Sequence, residues 1–157
     1  MMTVFMTQTQ VEQIVQQVTE WARSHQHILA VALVGSQARG TAHAESDIDL
    51  MLLSEQPLLF KASTDWLSEI DWGTLRIRKW EDITYGAVWS RHVYLNVDLN
   101  VDDAGCVEVE LSFGQPSWAS IAPIDPGTQH VVRGGCRVLY DADAHLTQLV
   151  QFVSAQG

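Results

Sequence analysis

The chain is poor in cysteine, in long apolar runs and in targeting signals. It has only two cysteines, Cys106 and Cys136, among 157 residues, and their spacing matches no metal-binding pattern. We therefore expect free thiols in a reducing cytoplasm rather than a disulfide. The longest apolar run, residues 28–34, is far too short to span a membrane. The first ten residues, MMTVFMTQTQ, lack the basic and apolar regions of a signal peptide.

Basic residues are also scarce. Nine Lys and Arg stand against 19 Asp and Glu, which gives a net charge of −10, and such a charge argues against a general DNA- or RNA-binding role. The sequence has no repeat of solenoid length and no low-complexity tract. Its length suits one domain with a real core. We expect a single domain over residues 1–157, with a core in about residues 10–113 and a loop-rich tail with a C-terminal helix in 114–157.

Hydrophobic periodicity predicts helices alternating with strands, and the first helix opens with what resembles a capping box, Thr9-x-x-Glu12. The continuous apolar runs are typical of strands buried on both faces, which requires helices on both sides of a sheet. The predicted helices cover residues 10–25, 58–70 and 143–154, and the predicted strands cover residues 28–34, 48–53, 74–80 and 136–140. The fold class that follows is α/β (α+β), a mixed sheet flanked by helices.

Two further strands, at 93–101 and 106–113, alternate apolar odd positions with polar even positions. Both apolar sets face the core only if paired positions sum to an even number. A three-residue loop, Asp103-Ala104-Gly105, satisfies this parity and pairs Asp98 with Glu110. Because two carboxylates directly opposite each other repel, this register needs a compensating feature.

The stretch VALVGSQARGTAHAESDIDLMLL, residues 31–53, joins a glycine-serine turn to two carboxylates at the mouth of a buried strand. Gly35 permits a sharp turn, and the backbone N–H groups that follow it, with the Ser36 hydroxyl, can form an anion site. Asp47 and Asp49 project from one face, because side chains in a strand repeat every second residue. Paired carboxylates suit Mg²⁺, which also takes phosphate ligands. This combination indicates phosphoryl or nucleotidyl transfer.

These residues, Gly35-Ser36-Gln37-Ala38-Arg39-Gly40 and Ser46-Asp47-Ile48-Asp49-Leu50, resemble the signature of the nucleotidyltransferase superfamily related to DNA polymerase beta. The chain is most similar to its small stand-alone (minimal) members, and it also resembles aminoglycoside nucleotidyltransferases. The resemblance implies Mg²⁺-dependent transfer of a nucleoside monophosphate from an NTP, such as ATP, with release of pyrophosphate. It implies that Gly35 and Ser36 hold the triphosphate, and that Asp47 and Asp49 hold two Mg²⁺ ions.

The resemblance also implies a third carboxylate, as a metal ligand or a base, on a later strand between apolar neighbours. Val109-Glu110-Leu111 and Val107-Glu108-Val109 both fit, with glutamate where aspartate is commoner in the family. We favour Glu110, which lies deeper in the sheet and opposite Asp98 in the predicted register. Asp98 itself is an alternative third ligand.

The surroundings of this cluster are less defined by the sequence. We expect Arg39 either beside the phosphates or paired with Asp47. The basic residues of 76–79 are expected on a solvated edge strand, with contact to the triphosphate or an acidic acceptor as the alternative. The pair Arg91-His92 is expected at the surface, with a substrate contact as the alternative. Trp89 and Trp118 are expected to pack in the core, with stacking on a base or an acceptor as the alternative.

Two other functions remain open at this stage. Minimal members of the resembled family often work beside a small helical protein partner, so a non-catalytic, nucleotide-sensing or antitoxin-like module is one alternative. An aminoglycoside-modifying enzyme is the other, because a polycationic substrate would suit an acidic chain. The acceptor, the base preference and the oligomeric state are not specified by the sequence.

Overall fold

In the computed structural model, which describes residues 7–41, 47–96 and 106–156, the strands form one mixed six-stranded sheet. The strands are β1 Ala30–Val34, β2 Ile48–Leu53, β3 Arg76–Tyr85, β4 Val88–Asn96, β5 Cys106–Gly114 and β6 Cys136–Asp141. Their order is β3-β4-β5-β2-β1-β6. Only the pair of β2 with β5 is parallel among these strands. The predicted mixed sheet flanked by helices is therefore confirmed.

Helices cover both faces of this sheet. The α-helices are α1 Gln8–Ser24, α2 Ser36–Arg39, α3 Pro57–Ala62, α4 Pro126–Arg133 and α5 His145–Ala155, and 3₁₀ turns cover Asp65–Glu69 and Pro116–Ala119. Ile48, Leu50 and Leu52 of β2 pack into a core layer with α1 and α3. Met51 and Leu53 belong to the second layer, with α4 and α5. Since strand residues alternate between faces, Asp49 lies on the α4/α5 side of the sheet.

The start of α1 differs from the prediction. The capping box is formed by Thr7 and Gln10, where the Gln10 N–H donates to Thr7 Oγ1 and the Thr7 N–H donates to Gln10 Oε1. The predicted box at Thr9 and Glu12 is wrong, because the helix already begins at Gln8. The Glu12 carboxylate lies instead 3.1 Å from the Arg137 guanidinium of β6.

The predicted continuous helix over 58–70 is also wrong. The chain leaves helical geometry at Ser63, with φ −130° and ψ 149°, and turns again at Asp65–Glu69. The indole N–H of buried Trp66 donates to the backbone oxygens of Phe60 and Ser63. The interruption thus gives a buried tryptophan its hydrogen-bond acceptors, which local periodicity does not reveal.

The predicted register between the two later strands is wrong, although paired positions do sum to an even number as predicted. In the antiparallel pair of β4 and β5, the residue opposite Glu110 is His92, not Asp98. Val93 and Val109 are buried as expected. A two-residue turn, Gly86-Ala87, joins β3 to β4, so that β4 begins at Val88 rather than at the predicted residue 93. Asp98 and the predicted loop at 103–105 lie outside the described residues.

The tail is more regular than predicted. Asp125 caps α4 by accepting a hydrogen bond from the Thr128 N–H at 3.1 Å, and Pro126 occupies the first turn, an arrangement typical of helix starts. Strand β6 then pairs antiparallel with β1, and α5 packs in the second core layer. The tail therefore supplies an edge strand and a covering layer of the same sheet.

Other expectations concern single side chains. Trp89 is buried, as predicted, and its indole N–H donates to the Pro57 carbonyl. Cys136 carries a free thiol whose pKa is raised to about 11 by burial, while the side chain of Cys106 lies outside the described part. Within the described ranges, no helix has the length and apolar character needed to cross a bilayer.

Candidate active site

The glycine turn at the end of β1 places a carboxylate and a backbone turn in contact. Gly35 has φ 77° and ψ −155°, a conformation that only glycine adopts readily. Val34 pairs with Asp49 across β1 and β2. A Cβ atom built on Gly35 would lie 2.7 Å from Asp49 Oδ2. The missing side chain therefore makes room for the Asp49 carboxylate, and α2 starts directly afterwards at Ser36.

Four carboxylates meet at the β2–β5 pair. Asp49 and Glu110 are direct partners in the parallel ladder, and the Asp49 carboxyl hydrogen-bonds Glu110. Two residues earlier in each segment, the Asp47 carboxyl hydrogen-bonds Glu108. Both predicted aspartates and both predicted glutamates thus belong to one cluster.

Crowding and burial change how these groups bind protons. Burial, followed by the hydrogen bond and negative charge of Glu108, raises the pKa of Asp47 to about 7. Burial, followed by the charge and hydrogen bond of Glu110, raises the pKa of Asp49 to about 7. Burial acts on Glu108 in the same sense, but hydrogen bonds from Asp47 and His92 hold its pKa below the usual value.

A histidine that the sequence predicts at the surface lies within the cluster. His92 is only 8% exposed. Its Nδ1 lies 3.1 Å from Glu108 Oε1, and its Nε2 lies 3.6 Å from Glu110 Oε1. The Tyr85 hydroxyl is 3.5 Å from the same Nε2. Its even position in β4 signals the polar face, but only the correct register reveals its partners.

The neighbouring Arg91 is also buried, contrary to the surface position expected for it. Its Nε lies 2.7 Å from Asp82 Oδ1, and its Nη2 donates to Asp82 Oδ2 at 2.9 Å. The guanidinium carbon lies 4.4 Å from the centre of the Trp80 ring. Arg91 is thereby held on the opposite face of β4 from His92, where it supports the packing of β3.

A cavity of about 810 Å³ opens beside Asp49 and Glu110. The sheet contributes its polar face, including Ser90 and Ser112, whose hydroxyls lie 2.6 Å apart. The opposite wall comes from the tail. It consists of Gln115, Ser117 and Trp118 together with Asp125, Gly127, Thr128, His130, Val131 and Gly134. Trp118 therefore faces a space in which a ring could stack.

Arg39 borders this cavity at the end of α2. Its Nη1 donates to the Gly134 carbonyl at 2.9 Å, and its Nε donates to Thr41 Oγ1 at 3.1 Å. A Cβ atom on Gly135 would lie 2.7 Å from Arg39 Cγ and 2.9 Å from the Arg39 nitrogen. The Gly134-Gly135 turn before β6 thus packs closely against α2, the turn that follows Gly35.

In the part of the chain that the structure describes, no three His, Cys, Asp or Glu side chains converge closely enough to hold a metal ion. The carboxylates hydrogen-bond in pairs instead. The chemistry of the donor set nevertheless fits a hard divalent cation, because crowded carboxylates with raised pKa values lose their mutual repulsion when such a cation binds.

Comparison with protein families adds an independent finding. Residues 14–99, more than half of the chain, match the family model described as nucleotidyltransferase domain. The matched range contains Gly35, Asp47 and Asp49 and ends before β5, which carries Glu108 and Glu110. No curated protein matches the sequence significantly.

Proposed function

The chain belongs to the nucleotidyltransferase domain family, and on that premise we propose that it transfers a nucleoside monophosphate from an NTP, such as ATP, to an acceptor hydroxyl. The proposed reaction depends on Mg²⁺ and releases pyrophosphate. The observation that carries the proposal is the position of Asp49, against the Gly35 turn on one side and beside Glu110 on the other. This juxtaposition supports a triphosphate site that adjoins a carboxylate cluster.

Asp47, Asp49 and Glu110 are the residues proposed to hold the metal. Bound Mg²⁺ would neutralise charge on the triphosphate and on the leaving pyrophosphate. In our proposal Gly35, Ser36 and the start of α2 direct backbone N–H groups and one hydroxyl toward the phosphates. Arg39, at the cavity rim, adds the nearby positive charge.

Glu110 is preferred over Glu108 as the third carboxylate for two reasons. Glu110 lies beside Asp49 in the ladder and lines the cavity. Glu108 is already engaged by the Asp47 carboxyl and by His92 Nδ1 at 3.1 Å. We propose that Glu110 ligates metal or accepts the proton of the acceptor hydroxyl, and that Glu108 orients Asp47 and His92. Asp98 remains a proposed alternative.

The test is a transfer assay on the purified chain with α-labelled NTPs and Mg²⁺. The acceptors offered are proteins, aminoglycosides and nucleic acids, and pyrophosphate release is measured in parallel. Glu110→Gln should remove nearly all activity. Glu108→Gln is the matched control, since it neutralises the same residue type two positions away, and it should stay within about tenfold of the unmodified chain.

An inactive Glu108→Gln beside an active Glu110→Gln would assign the third carboxylate to Glu108. NTP binding in Mg²⁺ with no transfer to any acceptor and no pyrophosphate release would contradict the enzymatic proposal. That outcome would favour a nucleotide-sensing module, such as an antitoxin-like partner of a small helical protein.

A further inference from the structure

Strand β3 is an edge of the sheet, and no strand pairs with its outer side among the described residues. It is long, from Arg76 to Tyr85. Three large apolar side chains on it are exposed: Trp80 by 41%, Ile83 by 39% and Tyr85 by 52%. A long edge strand with exposed apolar residues is a template for pairing with another strand.

The exposed apolar surface is concentrated in this region. The five exposed large apolar side chains in the described part of the chain all belong to β3 or to α3, which contributes Leu58 and Leu59. The two elements are neighbours, because Lys61 Nζ donates to Thr84 Oγ1 at 3.0 Å. Trp80 lies on the same face of the sheet as α3, whereas Ile83 and Tyr85 pair with Ser90 and Val88 on the cavity face. Apolar surface thus flanks the β3 edge on both faces, which marks the edge itself as an interaction site.

The charges of β3 identify what fits this edge. The strand reads RIRKWEDITY, with basic residues before Trp80 and acidic residues after it. A second copy that runs antiparallel presents these charges in reverse. With Trp80 opposite Trp80, Lys79 lies opposite Glu81 of the second copy on both sides of the axis. Moving the centre by one residue would instead place Lys79 opposite Lys79, or Glu81 opposite Glu81, and like charges directly opposite are destabilising.

Lys79 and Glu81 are also on the same face of the sheet, since they pair with Tyr94 and His92 of β4, two residues apart. A two-fold axis perpendicular to the sheet at Trp80 therefore keeps them on one side. Both are already ordered by Tyr94. Its hydroxyl donates to Glu81 at 2.9 Å, and Lys79 Nζ lies 4.8 Å from its ring centre. Ordered side chains lose less conformational entropy when they pair.

One feature of β3 limits where the pairing can be regular. The ladder with β4 shifts between Ile77 and Lys79, so that Arg78 forms a bulge. Edge bulges discourage extended pairing. The pairing centred on Trp80 therefore has its regular part at residues 79–81, because the next position on each side sets the Arg78 bulge against Asp82 of the second copy, whose carboxylate already binds Arg91.

We propose that two copies of the chain associate antiparallel through β3, with Trp80 on the two-fold axis. The two six-stranded sheets then form one continuous sheet. The two cavities lie on the same face of it, and each is bordered near the interface by Tyr85, which lines the cavity.

The test measures the molar mass of the full chain by sedimentation velocity over a concentration series. The unmodified chain should be a dimer. Lys79→Glu and Glu81→Lys should each weaken dimerisation by roughly tenfold or more, because each places like charges opposite each other twice. An equimolar mixture of the two variants should form a heterodimer, since the two acidic side chains of one variant then face the two basic side chains of the other. Glu20→Lys on α1, with the same charge change as Glu81→Lys, should remain dimeric.

A second measurement needs no variant. Amide hydrogen exchange on β3 of the unmodified chain should slow as the protein concentration rises, whereas exchange on α1 should not change. A monomer at high micromolar concentration, single variants that stay dimeric, or folded single variants that do not combine would each overturn the proposal. None of these readouts depends on nucleotidyl transfer.

Discussion

Two features of Gly35 disfavour any side chain at this position. Its φ of 77° disfavours any side chain, and a Cβ atom there would meet the Asp49 carboxylate. Gly40, at φ 76° and ψ 15°, lies in the left-handed region that other residues adopt at moderate cost, and a Cβ atom there would meet nothing within 4 Å. Substitution of Gly40 therefore tests a positive φ alone, whereas substitution of Gly35 adds a stricter backbone requirement and a collision with Asp49.

We expect Gly35→Ala to abolish transfer and to lower the free energy of unfolding by about 2–3 kcal/mol, through backbone strain in a region essentially restricted to glycine together with displacement of the Asp49 carboxylate. Gly40→Ala should incur only the moderate cost of the left-handed region and keep most of its activity. Urea unfolding and the transfer assay measure both effects. Equal activities in the two variants would show that contact between Gly35 and Asp49 is unimportant.

The raised pKa values of Asp47 and Asp49 predict how the free energy of unfolding depends on pH. Between the ordinary value of 3.8 and about 7, each aspartate binds more protons in the folded state than in the unfolded state. The free energy of unfolding therefore falls as pH rises through this window. Above the window, the full cost of ionising both carboxyl groups in the folded state is present.

Asp49→Asn removes one of these charges and should raise the free energy of unfolding at pH 8 by about 1–2 kcal/mol in EDTA, after allowance for solvent screening. At pH 4 it should have little effect, because the native carboxyl is already protonated. Asp143→Asn, at an exposed position, should change neither value. Urea titrations at both pH values decide the matter, and equal shifts at pH 4 and pH 8 would contradict the proposed cause.

Among the secondary-structure elements, the local sequence pattern predicts which face of a strand each residue lies on. It does not predict which residues of two paired strands lie opposite each other. The strand at 48–53 is predicted to the residue, because its apolar run is continuous and its neighbours are polar. Alternation also places Glu108 and Glu110 on the correct face of β5. It leaves any even-numbered slip open, so it pairs Asp98 with Glu110 where the fold places His92.

The candidate site likewise combines residues that local spacing predicts with residues that only the tertiary fold brings together. Gly35, Asp47 and Asp49 come from one continuous stretch, and their arrangement is readable from spacing alone. His92 and the wall with Trp118 come from elements far apart in the chain, and no local signal connects them. The sequence also fails to predict helix α4, although Asp125-Pro126 is a recognisable start, because the glycine and proline content of the tail resembles a loop.

The Gly134-Gly135 turn before β6 packs against α2, and a substitution in the turn tests whether this contact positions α2. A Cβ atom on Gly135 would press on Arg39 and approach the Gly35 carbonyl at 3.2 Å. We expect Gly135→Ala to raise the KM for NTP several-fold by displacing α2. Gly86→Ala, also at positive φ but with nothing within 4 Å of the new Cβ atom, should leave KM unchanged. The same KM in both variants, measured by initial rates on folded protein, would contradict the support assigned to this turn.

The whole molecule carries a net charge of −10 and gathers four carboxylates at the proposed triphosphate site, so its field opposes the binding of a polyanion. A divalent cation reverses this locally. We therefore expect ATP or another NTP to stabilise the chain only when Mg²⁺ is present. At a hundred times the dissociation constant, the gain in the free energy of unfolding should be about 2.7 kcal/mol. For a chain of this length, that gain corresponds to a rise in Tm of roughly 5–11 °C.

Thermal unfolding of the full chain measures this directly, with NTP and Mg²⁺ together, with each alone, and with NTP in EDTA. Asp47→Asn should lose the Mg²⁺-dependent gain, because it removes a proposed ligand of the cation. Glu20→Gln, which removes one negative charge from α1, should keep it, and this separates ligation from net charge. Equal stabilisation by NTP in EDTA and in Mg²⁺ would contradict the metal site. A gain that disappears equally in both variants would show that overall charge, rather than the carboxylate cluster, controls binding.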